Sequence, residues 1–316
     1  MARLVERIKD ALPGVFIHSI MIGKSPEDDR KRSLLDNMNR QIEEVCDQLA
    51  RVPELADGFN AIGLSQGGQF LRAYVERCNR PRVKKLITLG SQHQGVMALP
   101  GCVENESSRG ALGIEEAETQ AKALSTNEMS VFQRIRAKTV GPGGLLDDGK
   151  HFFAQLFALF KSDENCSWWK RLLKLGVYSP FVRSQVVQAQ YFKDPNNLDA
   201  YFQHNQFLLD INNDNPDESK RNATYAENLK QLEAFYMYIF EGDTVVVPKE
   251  SGWFALLDPK DSKIKYLKDL SVYREDRLGL KKLDEEGKLY FRMLPGQHLK
   301  LSNEFIRKEL ADILRQ

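Results

Sequence analysis

Residues 63–67 read Gly-Leu-Ser-Gln-Gly, a G-x-S-x-G pattern that could supply a nucleophile. In a nucleophile elbow the serine hydroxyl is exposed on a tight strand-to-helix turn, and the flanking glycines let the backbone pass close to the helix. The pattern alone is weak evidence, because ordinary Gly and Ser usage produces it in roughly one chain in ten of this length. The surrounding sequence therefore decides what Ser65 does.

The segments on either side of the pattern match an elbow. Residues 59–64 form a short run entered from an Asp-Gly pair, which predicts a buried strand. Residues 69–78 place their apolar side chains on one helical face and their charges on the other, which predicts an amphipathic helix. Strand, turn and helix follow in the order that an elbow requires.

A serine hydroxyl becomes a good nucleophile when an imidazole accepts its proton, and a carboxylate must fix the imidazole tautomer. In α/β hydrolases these groups occur in the chain order serine, acid, histidine. Asp243 and His298 follow Ser65 in that order, each just past a predicted strand, at 235–240 and 288–294. Ligands collect at the carboxyl ends of parallel strands, so we predict a Ser65, Asp243 and His298 triad.

Other residues compete for the same roles. Glu241 and Asp210 also lie near strand-like or loop segments, but the loop position of Asp243 suits the acid best. The remaining histidines are placed less well for the base, inside a predicted strand, after an earlier strand or in an inserted region: His18, His93, His151 and His204.

The elements that position these residues alternate along the chain. We predict helices at 2–12, 31–51 and 303–315, the last capped by Ser302, and further strands at 14–23 and 83–90. This alternation is typical of the α/β class, with a mostly parallel sheet and helices on both faces. We expect one α/β-hydrolase domain over residues 1–316, with residues 103–230 as a helical cap or insertion.

The inserted region contains a phenylalanine-rich stripe at 152–160 and a second apolar face that begins at Trp168 and Trp169. Apolar stripes usually pack into a core. The alternative is a cap or lid that is lined for an acyl chain and contacts lipid or a membrane surface.

Charge and apolar runs give no support for a nucleic-acid partner or a membrane span. The chain has 45 Lys plus Arg against 44 Asp plus Glu, so its charge gives no support for a nucleic-acid partner. No apolar run approaches the ~20 residues that a membrane span needs. The first helix is amphipathic rather than a signal peptide, which by itself suggests the cytosol.

The cysteines leave the compartment open. None has C-x-x-C spacing, which argues against a metal site, and they fit either four buried thiols or two disulfides in an oxidising compartment. Three glycosylation sequons, at Asn105, Asn165 and Asn222, favour the second option weakly. The cysteines are Cys46, Cys78, Cys102 and Cys166.

Four motifs occur in order at residues 63–73, 92–96, 276–280 and 296–299. Together they resemble the lysosomal palmitoyl-protein thioesterases of the type-one branch, over most of the chain outside residues 105–163, where this chain has extra sequence. The resemblance implies an α/β hydrolase that removes long-chain fatty acyl groups, chiefly palmitoyl, from S-acylated cysteines of proteins or peptides. It implies a Ser65 acyl-enzyme and no metal or organic cofactor.

The resemblance also assigns roles to single residues. Ser65, Asp243 and His298 match the family's triad, and the backbone N–H of Gln66 matches an oxyanion donor. The segment near the acyl groove comprises Gln92, His93, Gln94 and Gly95. The resemblance also implies disulfides between Cys46 and Cys78 and between Cys102 and Cys166, and glycosylation of Asn222. These features favour a lysosomal or secretory lumen.

The chain begins at the family's first helix, without the preceding strand, its His-Gly-rich loop or a signal peptide. In this fold that loop supplies a second oxyanion N–H, and losing one donor costs about 10²- to 10³-fold in rate. Losing a central strand would also leave backbone groups unpaired in the core. We therefore expect an incomplete N-terminus, such as a truncated gene model.

Two alternatives to a thioesterase remain open. A lipase or carboxylester hydrolase would use the same triad on oxygen esters, and matched substrates would distinguish it. A catalytically inert lipid-binding homologue would lack a functional oxyanion site, and an active-site serine probe would fail to label it.

Overall fold

The computed structural model describes residues 2–97 and 177–315. The chain divides into two compact units, Met1–Ala98 with Arg183–Gln316, and Leu99–Val182, of which only residues 177–182 are described. The phenylalanine-rich stripe, Trp168, Trp169, His151, Asn105, Asn165, Cys102 and Cys166 lie outside the described residues. The single domain with a helical cap, and the lipid contact of its stripe, stay predictions.

The described α-helices are α1 (Ala2–Ala11), α2 (Pro26–Arg32), α3 (Met38–Leu49), α4 (Gln66–Arg77), α5 (Pro180–Gln185), α6 (Leu198–His204), α7 (Leu208–Ile211), α8 (Ala223–Lys230), α9 (Ser271–Arg274), α10 (Leu280–Glu285), α11 (Asn303–Phe305) and α12 (Ala311–Arg315). A π-helical turn, Ile306–Leu310, joins α11 to α12. The strands are β1 (Phe59–Leu64), β2 (Val83–Leu89), β3 (Ala234–Phe240), β4 (Leu256–Leu257), β5 (Ile264–Lys265) and β6 (Leu289–Leu294). Short 3₁₀ helices lie at Pro53–Leu55, Val187–Tyr191, Glu218–Lys220, Lys249–Trp253 and Leu267–Asp269.

Four strands form one parallel sheet in the order β1, β2, β3, β6. The two inner strands are buried almost throughout, as expected for parallel strands covered on both faces. All four lie where the sequence predicted strands. The carboxyl ends of β1, β3 and β6 therefore share one edge of the sheet, which carries Ser65, Asp243 and His298 just beyond it.

Helices cover both faces of the sheet. On one face Ile8 of α1 and the apolar side of the C-terminal helical segment pack against Ile87, Leu89 and Tyr238. On the other face α4 packs on β1 and β2, with Gly68 directly against Thr88. This layering confirms the predicted α/β-hydrolase class. The C-terminal helical segment also begins as predicted, because the Ser302 side chain accepts a hydrogen bond from the Phe305 N–H at 3.0 Å.

The predicted helix at 31–51 was wrong, since the chain forms two helices there. α2 ends at Arg32 and α3 begins at Met38. Asn37 has extended backbone angles, and its side chain accepts hydrogen bonds from the N–H groups of Asn39 and Arg40. An asparagine that caps a helix N-terminus cannot also continue a preceding helix, and this local competition breaks the amphipathic run.

The predicted strand at 14–23 was also wrong. The segment from Val15 to Ile22 has no regular secondary structure, and it joins no ladder within the described part of the chain. Its backbone is held by side chains instead, because the Ile22 N–H donates to Asp29 at 2.7 Å and the Ile22 carbonyl accepts from Arg32. An apolar, β-branched run encodes extended backbone, whereas a strand also requires a neighbour with which to pair.

Cys46 of α3 and Cys78 at the end of α4 form a disulfide, with their Cα atoms 6.1 Å apart. This confirms one of the two predicted pairings. Among the described helices, none is both long enough and apolar enough to cross a membrane.

Candidate active site

Ser65 lies on a sharp turn between β1 and α4. Its backbone has φ 50° and ψ −121°, a conformation that L-residues rarely adopt. Two backbone hydrogen bonds hold the turn, from the Ser65 N–H to the Leu89 carbonyl at 2.8 Å and from the Gly68 N–H to the Ser65 carbonyl at 3.0 Å. Strain of this kind persists only where the surrounding structure enforces it, and it marks functional sites.

The glycines that permit this turn differ from the pair that the pattern suggested. A Cβ on Gly63 would lie 2.3 Å from the Gly68 Cα, and a Cβ on Gly68 would lie 1.9 Å from the Ser91 Oγ. A Cβ on Gly67 would meet nothing within 4 Å. The close approach of strand and helix therefore depends on Gly63 and Gly68, whereas the second glycine of the G-x-S-x-G pattern serves no packing need.

The loops after β3 and β6 are tied together at the same edge of the sheet. The ladder between these strands continues beyond their ends, because the Glu241 N–H donates to the Leu294 carbonyl at 2.9 Å. The Gly242 N–H then donates to the Gly296 carbonyl, also at 2.9 Å. Parallel pairing of two strands that are distant in sequence thus brings Asp243 and His298 together.

The structure brings Ser65, Asp243 and His298 into one hydrogen-bonded chain. The His298 Nδ1 lies 2.6 Å from the Asp243 Oδ2, and the His298 Nε2 lies 3.1 Å from the Ser65 Oγ. Each imidazole nitrogen therefore has one partner, a carboxylate on one side and a hydroxyl on the other. This arrangement can take a proton from the serine as its hydroxyl attacks a carbonyl carbon.

Asp243 is fixed by its own loop. Its Oδ1 accepts hydrogen bonds from the N–H groups of Val245 at 2.8 Å and Val246 at 3.0 Å, which leaves Oδ2 for the imidazole. The Asp243 side chain is 1% exposed, against 13% for His298. The carboxylate is therefore shielded and oriented, while the imidazole keeps access to the outside of the fold.

Gly90 is a site residue that the sequence reasoning missed. It directly follows β2 and has φ +63°, and a Cβ there would lie 2.9 Å from the His298 Cε1. The ring of Phe240 meets the same imidazole edge-on, with centroids 6.1 Å apart. A glycine that ends a central strand was the available signal, but nothing in the sequence related it to His298.

Gln66, the predicted oxyanion donor, follows Ser65 as the first residue of α4. The N–H groups in the first turn of a helix have no carbonyl partner within that helix, so they are available to an anion. The Gln66 side chain is engaged elsewhere, since its Nε2 donates to the Ser33 carbonyl and its Oε1 accepts from the Tyr191 hydroxyl, both at 3.3 Å.

The four residues predicted near the acyl groove lie in the loop after β2, and the structure buries all of them. The Gln92 carbonyl accepts from the Gln69 side chain at 2.8 Å. The Gln94 side chain accepts from Lys193 at 3.1 Å and from Asn212 at 3.3 Å. These polar groups are engaged with other parts of the protein, and contact between this loop and an acyl chain stays a prediction. The four residues are Gln92, His93, Gln94 and Gly95.

In the described part of the chain, no side-chain hydrogen bond or ion pair joins Asp210, Glu241 or His204 to the triad. Asp210 pairs with Arg77 at 2.6 Å and accepts from the Tyr225 hydroxyl at 2.8 Å, whereas Glu241 is exposed. His204 is exposed on α6. Among the described residues, no group of three or more His, Cys, Asp or Glu side chains is arranged to hold a metal ion.

A parallel sheet between helices, with a strained serine elbow and a histidine and acid at neighbouring strand ends, defines the chain as an α/β hydrolase. The family model described as palmitoyl protein thioesterase matches residues 1–298, and the chain belongs to that family. Membership confirms the predicted enzyme class, a hydrolase that acts on acyl thioesters.

Several curated proteins are similar along nearly the whole chain. Palmitoyl-protein thioesterase 1 of Caenorhabditis elegans is 33% identical, over 98% of this chain and 85% of that protein. Palmitoyl-protein thioesterase 3 of Dictyostelium discoideum is 27% identical, over 92% of this chain and 77% of that protein. The lysosomal thioesterase PPT2 homolog of Drosophila melanogaster is 23% identical, over 94% and 80% respectively.

Proposed function

We propose that the protein removes long-chain fatty acyl groups, chiefly palmitoyl, from S-acylated cysteines of proteins or peptides, through an acyl-enzyme on Ser65. The observation that carries the proposal is the unbroken chain from the Asp243 Oδ2 through the His298 ring to the Ser65 Oγ, with distances of 2.6 and 3.1 Å. Family membership supports the thioester as the bond that is cleaved.

Acylation begins when the His298 Nε2 accepts the proton of the Ser65 Oγ, which attacks the thioester carbonyl carbon. The carbonyl oxygen becomes an oxyanion and takes a hydrogen bond from the Gln66 N–H. The carbon–sulfur bond then breaks, and His298 returns its proton to the departing cysteine sulfur. The fatty acyl group remains on the Ser65 Oγ as an ester.

Deacylation repeats the same steps with water as the nucleophile. His298 takes a proton from the water, the hydroxide attacks the acyl carbon, and the Ser65 oxygen leaves with the proton that His298 returns. Asp243 holds the imidazole so that Nε2 faces the serine, and it stabilises the imidazolium that forms in both stages. The two N–H groups of Val245 and Val246 keep the carboxylate in place during these transfers.

We place the protein in a lysosomal or secretory lumen. The disulfide between Cys46 and Cys78 requires an oxidising compartment, and related proteins are named lysosomal thioesterases. Asn222, the predicted glycosylation site, is exposed at the N-terminus of α8. Its Oδ1 caps the helix by accepting from the Thr224 N–H at 3.0 Å, so a glycan on Nδ2 would leave the cap intact.

The test compares the wild-type protein with Ser65→Ala on a peptide that carries one S-palmitoyl cysteine. Ser65→Ala should lose activity by at least about 10⁴-fold, because the nucleophile is gone. Ser219→Ala, on an exposed 3₁₀ turn, is the matched control and should keep full activity. Full activity in Ser65→Ala would refute the mechanism.

Two further measurements distinguish the alternatives. A peptide with O-palmitoyl serine in place of the thioester should react more slowly, whereas faster oxygen-ester hydrolysis would indicate a lipase or carboxylester hydrolase. A fluorophosphonate probe should label Ser65 in the folded protein. Folded protein that neither accepts the probe nor hydrolyses either peptide would instead be an inert lipid-binding homologue.

A further inference from the structure

The side chain of Gln66 is held at both ends, although only its backbone N–H has a proposed role in the reaction. The Gln66 Nε2 donates to the Ser33 carbonyl, and the Gln66 Oε1 accepts from the Tyr191 hydroxyl. Ser33 lies just after α2 and Tyr191 ends the 3₁₀ helix Val187–Tyr191, so the two contacts come from segments distant in sequence.

These two anchoring segments are bound to each other. The Val187 N–H donates to the Leu34 carbonyl at 3.0 Å. The Gln190 side chain then makes two hydrogen bonds to the same stretch, donating to the Asp36 carbonyl at 2.6 Å and accepting from the Met38 N–H at 2.8 Å. Neither anchor of Gln66 is therefore a loosely held loop.

Tyr191 is fixed from a third direction, by the chain that follows β2. Its carbonyl accepts from the Val96 N–H at 3.0 Å, and a Cβ on Gly95 would lie 2.4 Å from that carbonyl oxygen. Tyr191 is only 5% exposed. Burial raises the pKa of its hydroxyl, and a hydrogen bond with the Gln92 side chain offsets part of that rise. The hydroxyl therefore remains a proton donor toward Gln66.

An oxyanion donor works only if its N–H points at the position that the oxyanion will occupy. The direction of the Gln66 N–H depends on the rotation of the peptide plane between Ser65 and Gln66, and the Ser65 backbone is in a strained conformation. A relaxation of that turn would rotate the plane away from the reacting carbonyl. A side chain held at both ends restrains the Gln66 Cα, and hence the peptide plane, against such a rotation.

We propose that Tyr191 is a positioning residue for the oxyanion donor, and that its hydroxyl and the Ser33 carbonyl hold the Gln66 side chain so that the Gln66 N–H faces the reacting carbonyl. The inference rests on the proposed function, since it assigns Tyr191 to the same acyl transfer. Tyr191 touches no reacting atom and acts through Gln66 alone.

The test uses Tyr191→Phe and Gln66→Met, each alone and combined, in the whole protein. Phenylalanine keeps the buried ring, and methionine keeps the length of the side chain without its hydrogen-bonding groups. Tyr225→Phe is the matched control, because it also removes a buried hydroxyl, one that donates to Asp210 at 2.8 Å. For each variant, kcat and KM on the acyl thioester and the rate of fluorophosphonate labelling at Ser65 are measured.

Loss of the hydrogen bond to Gln66 should lower kcat by about 3- to 10-fold in Tyr191→Phe, with KM changed by less than about twofold. The labelling rate should fall by a similar factor, because the phosphonyl oxygen occupies the oxyanion site. The double variant should be no slower than Gln66→Met, since both changes remove the same restraint. The pH profile should keep its shape, because His298 and Asp243 are untouched.

The inference is overturned if Tyr191→Phe matches Tyr225→Phe in kcat and labelling rate, or if the two changes multiply in the double variant. Should Tyr191→Phe fold poorly, Gln66→Met tests the same restraint from its other end, and a wild-type labelling rate in that variant would equally refute it. Labelling at Ser65 that depends on Tyr191, in a protein inactive on acyl thioesters, would refute the proposed function and support the positioning role.

Discussion

Two histidines lie at similar positions after strands of the parallel sheet, but their rings contact different groups. His93 and His298 each follow a glutamine, and each lies in the glycine-containing loop after a strand of the parallel sheet, β2 and β6 respectively. Only His298 has a carboxylate on one ring nitrogen and a serine hydroxyl on the other. Position after a strand is therefore insufficient to make a histidine a catalytic base.

The surroundings of His93 exclude it from proton transfer. Its side chain is fully buried, its ring is stacked on Phe254 with centroids 4.8 Å apart, and its Nε2 lies 3.1 Å from the Thr88 hydroxyl. Burial, together with the nearby Arg72 charge, lowers the pKa of His93 well below the usual value for histidine. A sealed, neutral imidazole packs as an aromatic side chain, whereas His298 combines a charge partner with access to the outside.

A buried Arg–Glu contact on α4 lies next to His93. Arg72 and Glu76, both fully buried on α4, pair at 2.8 Å. Arg72 also donates to the His93 carbonyl at 3.3 Å and to the Asn212 side chain at 2.7 Å, so it ties the loop after β2 to α7 and its neighbours. The hydrogen bonds of Arg72 in this cluster hold separate segments of the chain together.

Replacing His298 should have the largest effect on activity. His298→Ala removes the base and should lower kcat by about 10⁴-fold or more, with little change in unfolding free energy. Single-turnover and steady-state hydrolysis of the acyl thioester measure this loss. His204→Ala, an exposed histidine on α6, is the control. Near-normal activity in His298→Ala would show that His298 is not the catalytic base.

Asp243→Asn should have the next largest effect. The amide can still accept from Val245 and Val246, but it would present a donor to the imidazole and favour the wrong tautomer. We expect kcat to fall by about 10³- to 10⁴-fold, with KM nearly unchanged. Asp261→Asn, at an exposed position, serves as the control. A loss under tenfold would show that another group orients His298.

His93→Ala should affect stability far more than chemistry. Emptying a site between Phe254 and Phe235 should cost about 2–4 kcal/mol in unfolding free energy, measured by urea denaturation. The kcat of the folded fraction should fall by less than about tenfold. A loss of activity as large as that of His298→Ala, in folded protein, would instead assign His93 a role in the reaction.

Glu76→Gln should change how stability depends on pH. Burial raises the pKa of Glu76 to about 8, despite the nearby Arg72 and Arg77 charges. Between about pH 4.5, the ordinary pKa of a glutamate, and about pH 8, the folded protein therefore keeps a proton on Glu76 that the unfolded protein loses. The contribution of Glu76 to the free energy of unfolding is complete below about pH 4.5 and decreases progressively as the pH rises to about 8.

His93 changes the pH dependence of stability in the opposite direction. Its folded pKa is lowered, so its contribution to stability is lost as pH falls below about 6.5. The two slopes oppose each other just below about pH 6.5, and above that pH the Glu76 slope remains, at up to about 1.4 kcal/mol per pH unit. Urea denaturation should show that Glu76→Gln abolishes this decline from pH 6.5 to 8. An unchanged slope would show that Glu76 is already ionised in the fold.

The sequence was sufficient for features that depend on local pattern. The four parallel strands, α1, α4 and the cap at Ser302 all follow from runs of about a dozen residues or fewer, and each lies where it was predicted. The residues proposed for the triad were also chosen from local pattern, since Ser65, Asp243 and His298 each follow a predicted strand. Chain order supported the choice, because Ser65, Asp243 and His298 occur in the order that α/β hydrolases use.

The errors arose where a distant or competing contact decides the structure. The run at 14–23 has the composition of a strand but lacks a partner among the described strands, and the side chain of Asn37 divides the predicted helix at 31–51. The motif named Gly67, yet the contact across the turn is made by Gly68. Hydrophobic periodicity predicts none of these outcomes, because it indicates which residues are buried but not which residues they contact.

By itself, the sequence determined the order of elements, the elbow and the candidates for nucleophile, acid and base, because these depend on residue type and on short-range spacing. Only the tertiary structure decided which histidine meets the serine. Parallel pairing of β3 with β6 brings Asp243 to His298, and Gly90 leaves room for the imidazole beside them. The loop after β2 instead closes over His93 between Arg72 and two phenylalanines, because buried packing there excludes the solvent that a proton carrier needs.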